Sequence, residues 1–146
     1  MALVLGLNAK LYRNTGTYAS PTWVEMTNVK NVTLNLESAE ADVTTRANNG
    51  WRATVPTLKD ASIEFEMVWD TEDAAFEAIQ EAFLDSTPIE VLALDGPEGT
   101  AGSQGLRATC SVLSFSRNEQ LEEALMVSVN LKPTYSADAP EWFVAT

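Results

Sequence analysis

Apolar and polar residues alternate with a period of two over much of this chain, the spacing that sends successive side chains to opposite faces of a strand. The alternation is clearest from Ala61 to Trp69, where Ala61, Ile63, Phe65, Met67 and Trp69 share one face opposite Ser62, Glu64 and Glu66. This segment is predicted as a half-buried strand. Upstream, Val32, Leu34 and Leu36 alternate with Thr33, Asn35 and Glu37, and after a short break Ala41 and Val43 alternate with Glu40, Asp42 and Thr44. The two sets are predicted as arms of a long hairpin turning near Ser38 and Ala39. On that basis Glu37, Glu40 and Asp42 share a polar face opposite Val32, Leu34, Leu36 and Val43.

A second hairpin pattern follows in the other half of the chain. Leu106, Ala108, Cys110 and Val112 alternate with Arg107, Thr109 and Ser111. Leu125, Val127, Val129 and Leu131 alternate with Met126, Ser128, Asn130 and Lys132, and Asn118 to Glu123 links the two arms. Shorter strands are predicted near Leu3 to Leu11, at Thr22 to Met26 and at Ile89 to Leu94.

One segment breaks the period. From Asp73 to Leu84 the apolar residues Ala75, Phe76, Ile79, Ala82 and Phe83 follow helical spacing, so one helix is predicted over about residues 72–85. Asp70 or Thr71 can cap it, and Ser86, Thr87 and Pro88 end it. Two loops remain. Residues 47–60 hold Asn49-Gly50, a pair suited to a tight turn, with Trp51 next to it. Residues 95–105 hold four glycines and are expected to be mobile in an isolated subunit. The fold expected is a single mainly β domain over residues 1–146, a small sandwich or barrel with one flanking helix.

Charge narrows the function. The chain carries 21 acidic and 9 basic side chains, a formal charge of -12, with the basic residues scattered singly. That balance opposes the phosphate neutralisation on which nucleic-acid affinity rests. The apolar run from Ala2 to Leu7 lacks a preceding basic segment, so a secretory signal is not expected. No stretch reaches the ~20 apolar residues of a membrane helix. Synthesis and assembly in a cytoplasm follow as the expectation.

Candidate chemistry is sparse. There is no histidine, which excludes imidazole-based triads, and one cysteine cannot build a zinc site of the Cys/His type. Cys110 falls in core phase with Leu106, Ala108 and Val112 and reads as a small core residue. Glu64 and Glu66 share a strand face at about 7 Å, a separation some carboxylate pairs use in glycoside hydrolysis, but neither has the apolar surroundings that would raise its pKa. Asp95 to Gly99 lacks the alternating ligands of a calcium loop, and the glycines after it lack a phosphate-binding lysine. No catalytic residue, metal or cofactor is expected. Trp51, beside a turn and among polar neighbours, is the aromatic best placed to anchor an interface.

In order of features the chain resembles the major tail tube proteins of tailed phages. The resemblance spans nearly the whole length. It rests on residues 28–34 running into 39–46, on Gly50-Trp51-Arg52, on residues 59–65, on the acidic helix and on the later hairpin ending at 130–134. The resemblance implies hexameric rings that stack into a tube, with hairpins of neighbouring subunits joined edge to edge around a bore. Lumen-facing candidates are then Thr33, Asn35, Glu37, Glu40, Asp42, Thr44, Ser128 and Asn130. Inter-ring candidates are Arg46, Asn49, Gly50, Trp51 and Arg52. Arg107 and Lys132 share the polar phase of the second hairpin, so they must pair with acids or sit off the lumen. Implied partners are further copies of the chain, tail tip or baseplate and terminator proteins at the ends, and a sheath in a contractile tail. DNA passes through unbound, no membrane is involved, and the place of the protein is the virion tail. Rival readings are the inner tube of a contractile injection or secretion machine and a monomeric β-sandwich binding module.

Overall fold

The structure, a computed structural model, describes residues 3–146; Met1 and Ala2, the start of the apolar run, lie outside them. Eight strands and one helix follow in the order β1 (Lys10–Asn14), β2 (Trp23–Glu25), β3 (Val29–Asp42), β4 (Thr54–Val68), α1 (Ala74–Leu84), β5 (Ile89–Leu94), β6 (Gln104–Asn118), β7 (Met126–Pro133) and β8 (Glu141–Val144). The strands form one antiparallel sheet in the order β2-β1-β5-β6-β7-β4-β3, with β8 paired to β6. The mainly β architecture with a single helix is as expected, but the sheet stays open instead of closing into a barrel.

Long β6 is shared by the two wings of the sheet. Its first half pairs with β5 through Cys110, and its second half pairs with β7 from Cys110 to Asn118. An extra residue near Leu113 makes a bulge where the strand changes partners, and bulges bend and twist a strand. The wings therefore fold toward each other and bury the main core between them, while Tyr12, Leu92 and Leu94 form a smaller second cluster. Leu11, Val91 and Ala93 of one wing meet Ile63, Phe65, Met67, Val127 and Leu131 of the other. Gly105 is required where β5 and β6 meet, because a Cβ there would lie 1.5 Å from the carbonyl oxygen of Ala93.

The helix starts at Ala74, capped by the Asp73 carboxylate, which accepts from the Ala75 N–H at 3.3 Å. Asp70, a predicted cap, instead accepts from the Glu72 N–H and shapes the turn before the helix. Phe76 and Ile79 are fully buried, and Phe76 packs edge-on against Trp69 and beside Phe115. The helix ends on Ser86 in the left-handed region, with the Thr87 N–H bonded back to the Ala82 carbonyl.

Three expectations need correction. The first strand begins at Lys10 after a 3-10 turn at Gly6–Asn8, so Leu3 to Ala9 is not strand. Residues 95–105 are tied down rather than free: Asp95 and Gln104 exchange bonds, Gly102 donates to the Ala145 carbonyl, and Glu98 donates to the Tyr12 hydroxyl. Most consequential, no turn occurs at Ser38 and Ala39. β3 runs unbroken from Val29 to Asp42 and pairs along its length with β4, which begins at Thr54 inside the expected loop. The irregularity near Ser38 is an extra residue on β4, between Pro56 and Lys59. The real turn spans residues 43–53.

Candidate assembly surface

Because β3 is continuous from Thr33 to Asp42, its period of two fixes which side chains share a face. Thr33, Asn35 and Glu37 lie on one face; Leu34, Leu36, Ser38, Glu40 and Asp42 lie on the other. Glu40 and Asp42 therefore do not share a face with Glu37, and Thr44 lies past the strand, bonded to Ala53. A turn at Ser38 would have reset the phase, and the structure has none there.

The register carries the polar face across four strands. Thr33 sits opposite Glu64, Glu64 opposite Asn130 and Asn130 opposite Ser114. One step along, Glu66 faces Ser128, and Ser128 faces Ser116. Asn35 donates to the Ser62 hydroxyl at 3.3 Å, and Asn31 donates to Glu66 at 3.1 Å. Of the expected lumen residues, Thr33, Asn35, Glu37, Ser128 and Asn130 are brought together here. Asp60, Ser62, Glu64, Glu66, Ser114 and Ser116, none of them in the expected set, join them. Their alternation was visible, but only cross-strand register shows which face each strand contributes. Four carboxylates (Glu37, Asp60, Glu64, Glu66) meet two ammonium groups (Lys30, Lys132) on this face. Glu64 and Glu66 line an open hollow there with Asn31, Thr33, Ser128 and Asn130.

Two strand edges bound this four-stranded region. On its outer side β3 has no neighbour, and on the side facing β5 no strand pairs with β6 beyond Cys110, among the described residues. Next to the β3 edge, on the core side, Val32 and Leu36 are 41% and 54% exposed.

The β3–β4 tip holds the inter-ring candidates. Val43 donates to the Ala53 carbonyl and closes the hairpin. Arg46 opens a 3-10 turn at Arg46–Asn48, which is capped by the Thr45 hydroxyl. Asn49 and Gly50 both take positive φ, 52° and 83°, which reverses the chain. Trp51 is 78% exposed and does not fold back on its own sheet, and Arg52 is exposed beside it.

Arg107 is a polar centre of another kind. Its side chain is buried, 2.9 Å from Glu90 and 3.7 Å from Glu141, and it also donates to the Tyr18 carbonyl. Its guanidinium lies over the Tyr18 ring at 3.7 Å. Burial, then Glu141, raises the Tyr18 phenol above its ordinary pKa. The arrangement pins β5, β6, β8 and the β1–β2 loop together, so Arg107 pairs with acids off the polar face. Cys110 is fully buried in the core, and burial pushes its thiol up to about 12, which leaves it unreactive.

The family model for phage tail tube proteins matches residues 9–134. No curated protein matches the chain. Among solved structures, the SPP1 tail tube, determined by solid-state NMR and cryo-EM, superposes with TM-score 0.72 at 17% identity over 89% of this chain and 75% of that one. A chain of the native gene transfer agent virion gives 0.70 at 14% identity, covering 95% of this chain and 98% of that one. A chain from the tail of the empty gene transfer agent particle, refined with C6 symmetry, gives 0.68 at 17% identity over 91% and 95%.

Proposed function

The chain belongs to the phage tail tube protein family, and on that footing we propose that its copies close side by side into hexameric rings that stack into the DNA conduit of the tail. As a member of that family it is a structural component of the virion tail and not an enzyme. The observation that carries the ring is the four-stranded sheet β6-β7-β4-β3, polar on one face and left with an open edge on each side. Open edges are a hazard in a monomer, and joining β3 of one copy to the second half of β6 in the next removes both. Repeated head to tail around an axis, that contact closes a ring.

Sixfold symmetry, as in the gene transfer agent tail, suits the dimensions. Four strands from each of six copies, spaced about 4.8 Å apart, give a cylinder roughly 37 Å across at the backbone, wider if the strands tilt. Side chains narrow that bore but leave room for a DNA duplex. The polar face lines it: Thr33, Asn35, Glu37, Ser62, Glu64, Glu66, Ser128 and Asn130 turn toward DNA, and the excess of carboxylates keeps phosphates from binding. The hairpin tip with Arg46, Asn49, Gly50, Trp51 and Arg52 reaches the adjacent ring. Tip, baseplate and terminator proteins then meet the two ends of the stack, and a sheath surrounds it in a contractile tail.

Sedimentation velocity with negative-stain electron microscopy over a concentration series tests this. Rings and tubes with a central channel are expected at high concentration. A species that stays monomeric across concentration, salt and pH contradicts it.

A further inference from the structure

The charges of this protein are sorted along its longest strands. From Val43 to Lys59 the chain has no acid, and the hairpin tip within that stretch exposes Arg46 and Arg52 on either side of Trp51. From Asp60 to Leu106 it has no base. β4 has 15 residues and carries the chain from the tip to the far end of the molecule, roughly 45–50 Å at the rise of a strand. There Trp69 donates to the Leu125 carbonyl, which places the turn at Asp70 to Asp73 beside the β6–β7 loop. That loop exposes Glu119, Glu122 and Glu123 around Leu121, which is 100% exposed. Two bases lie near this end: Arg117, which lies over Trp69 and is paired with Glu119, and Lys30, which sits opposite Glu66 in the register.

One end of the subunit is thus a basic hairpin carrying an exposed aromatic, and the opposite end is an acidic shelf carrying an exposed leucine. Two such ends match each other and repel themselves. We infer that they form a clasp between copies: the Arg46–Trp51–Arg52 tip of a subunit in one ring seats on the acidic shelf of Asp70 to Asp73 and Glu119 to Glu123 in the next. The occupant of the shelf is a second copy of this chain. Like-charged ends exclude tip-to-tip and shelf-to-shelf contact, so the clasp sets the polarity of the stack as well as its strength. A single exposed ion pair contributes little, but each ring presents the contact once per subunit, and linked contacts multiply. Trp51 and Leu121 supply apolar burial at its centre. The inference rests on the stacked-ring reading and names the contact that holds rings together.

Charge exchange tests it. Arg46→Glu with Arg52→Glu reverses the tip; Glu72→Lys with Glu119→Lys, Glu122→Lys and Glu123→Lys reverses the shelf, setting four bases against Asp70 and Asp73 without touching Asp73, which caps the helix. Each variant alone is expected to need at least about tenfold more protein to form tubes, and wild-type tubes to weaken similarly as salt rises to ~0.5 M. Mixing the two variants, or combining both sets of changes in one chain, is expected to restore tubes. Tubes from the tip variant at the wild-type concentration, or no recovery on mixing, overturns the clasp while wild-type tubes still uphold the ring reading. Absence of wild-type rings refutes the ring reading before any variant is made. A second measurement keeps the native charges and both apolar anchors: in tubes carrying Ala47→Cys on the tip and Gln120→Cys on the shelf, both exposed positions, a short bismaleimide is expected to link subunits into a ladder. Buried Cys110 stays silent, and either single cysteine gives no ladder. No ladder in intact tubes carrying both cysteines overturns the clasp.

Discussion

Arg107 ties β5, β6, β8 and the β1–β2 loop together. Its guanidinium is buried among Glu90, Glu141 and the Tyr18 ring, and removing it strands the Glu90 carboxylate away from water. Breaking a buried pair from one side is costly. Arg107→Ala is expected to lower the unfolding free energy of the monomer by about 3–5 kcal/mol in urea titration; a loss under about 1 kcal/mol contradicts the pairing. The sequence showed Arg107 in a polar phase and required it to find an acid or leave the lumen. It could not show which acid, because Glu90 lies 17 residues away on a neighbouring strand. Cys110 was legible because its phase with Leu106, Ala108 and Val112 needs no partner to be known.

Among the elements, legibility follows burial. β7 and the second half of β4 read directly from alternation, because one face of each is buried and selection for that face leaves a period. The first half of β4 was hidden, since Thr54 to Asp60 is exposed on both faces and Pro56 argues against a strand except at an irregularity such as the one found there. The same exposure let the apolar residues of β3 change face between Leu36 and Ala41, which imitates a turn. At the helix end, Ser86 holds φ 55°, a conformation that costs a side-chain residue more than glycine. Ser86→Gly is expected to raise stability by about 0.5–1 kcal/mol in thermal or urea unfolding; destabilisation would show that the serine hydroxyl contributes more than the backbone strain. For the hairpin tip, Trp51→Ala is expected to change monomer stability by less than about 0.5 kcal/mol while sharply reducing tube formation, since the ring is 78% exposed in the subunit. A large drop in monomer melting temperature instead places the indole in the fold.

At the scale of the whole molecule, the corrected phase of β3 changes which charges lie on the face proposed to line the bore. Glu37 and Glu64 lie on the polar face, whereas Glu40 and Asp42 lie on the other. Glu37→Lys with Glu64→Lys is expected to leave tubes intact but slow DNA release at low ionic strength, with recovery as salt releases the phosphates. Glu40→Lys with Asp42→Lys is expected to leave release unchanged. The reverse ranking, measured as DNA release from mutant virions against salt, would mean that the face has been assigned the wrong way round. The polar face proposed to line the bore was partly legible from sequence, in that Thr33, Asn35, Glu37, Ser128 and Asn130 do share one face; its extension across β4 and β6 required register that no single strand encodes. A cryo-EM reconstruction of the assembled polymer tests the central claim most directly. It is expected to show β3 of each subunit hydrogen-bonded to the second half of β6 in its neighbour, with Glu64 and Asn130 facing a channel wide enough for duplex DNA. Subunits joined through other surfaces, or a polar face turned outward, would contradict it.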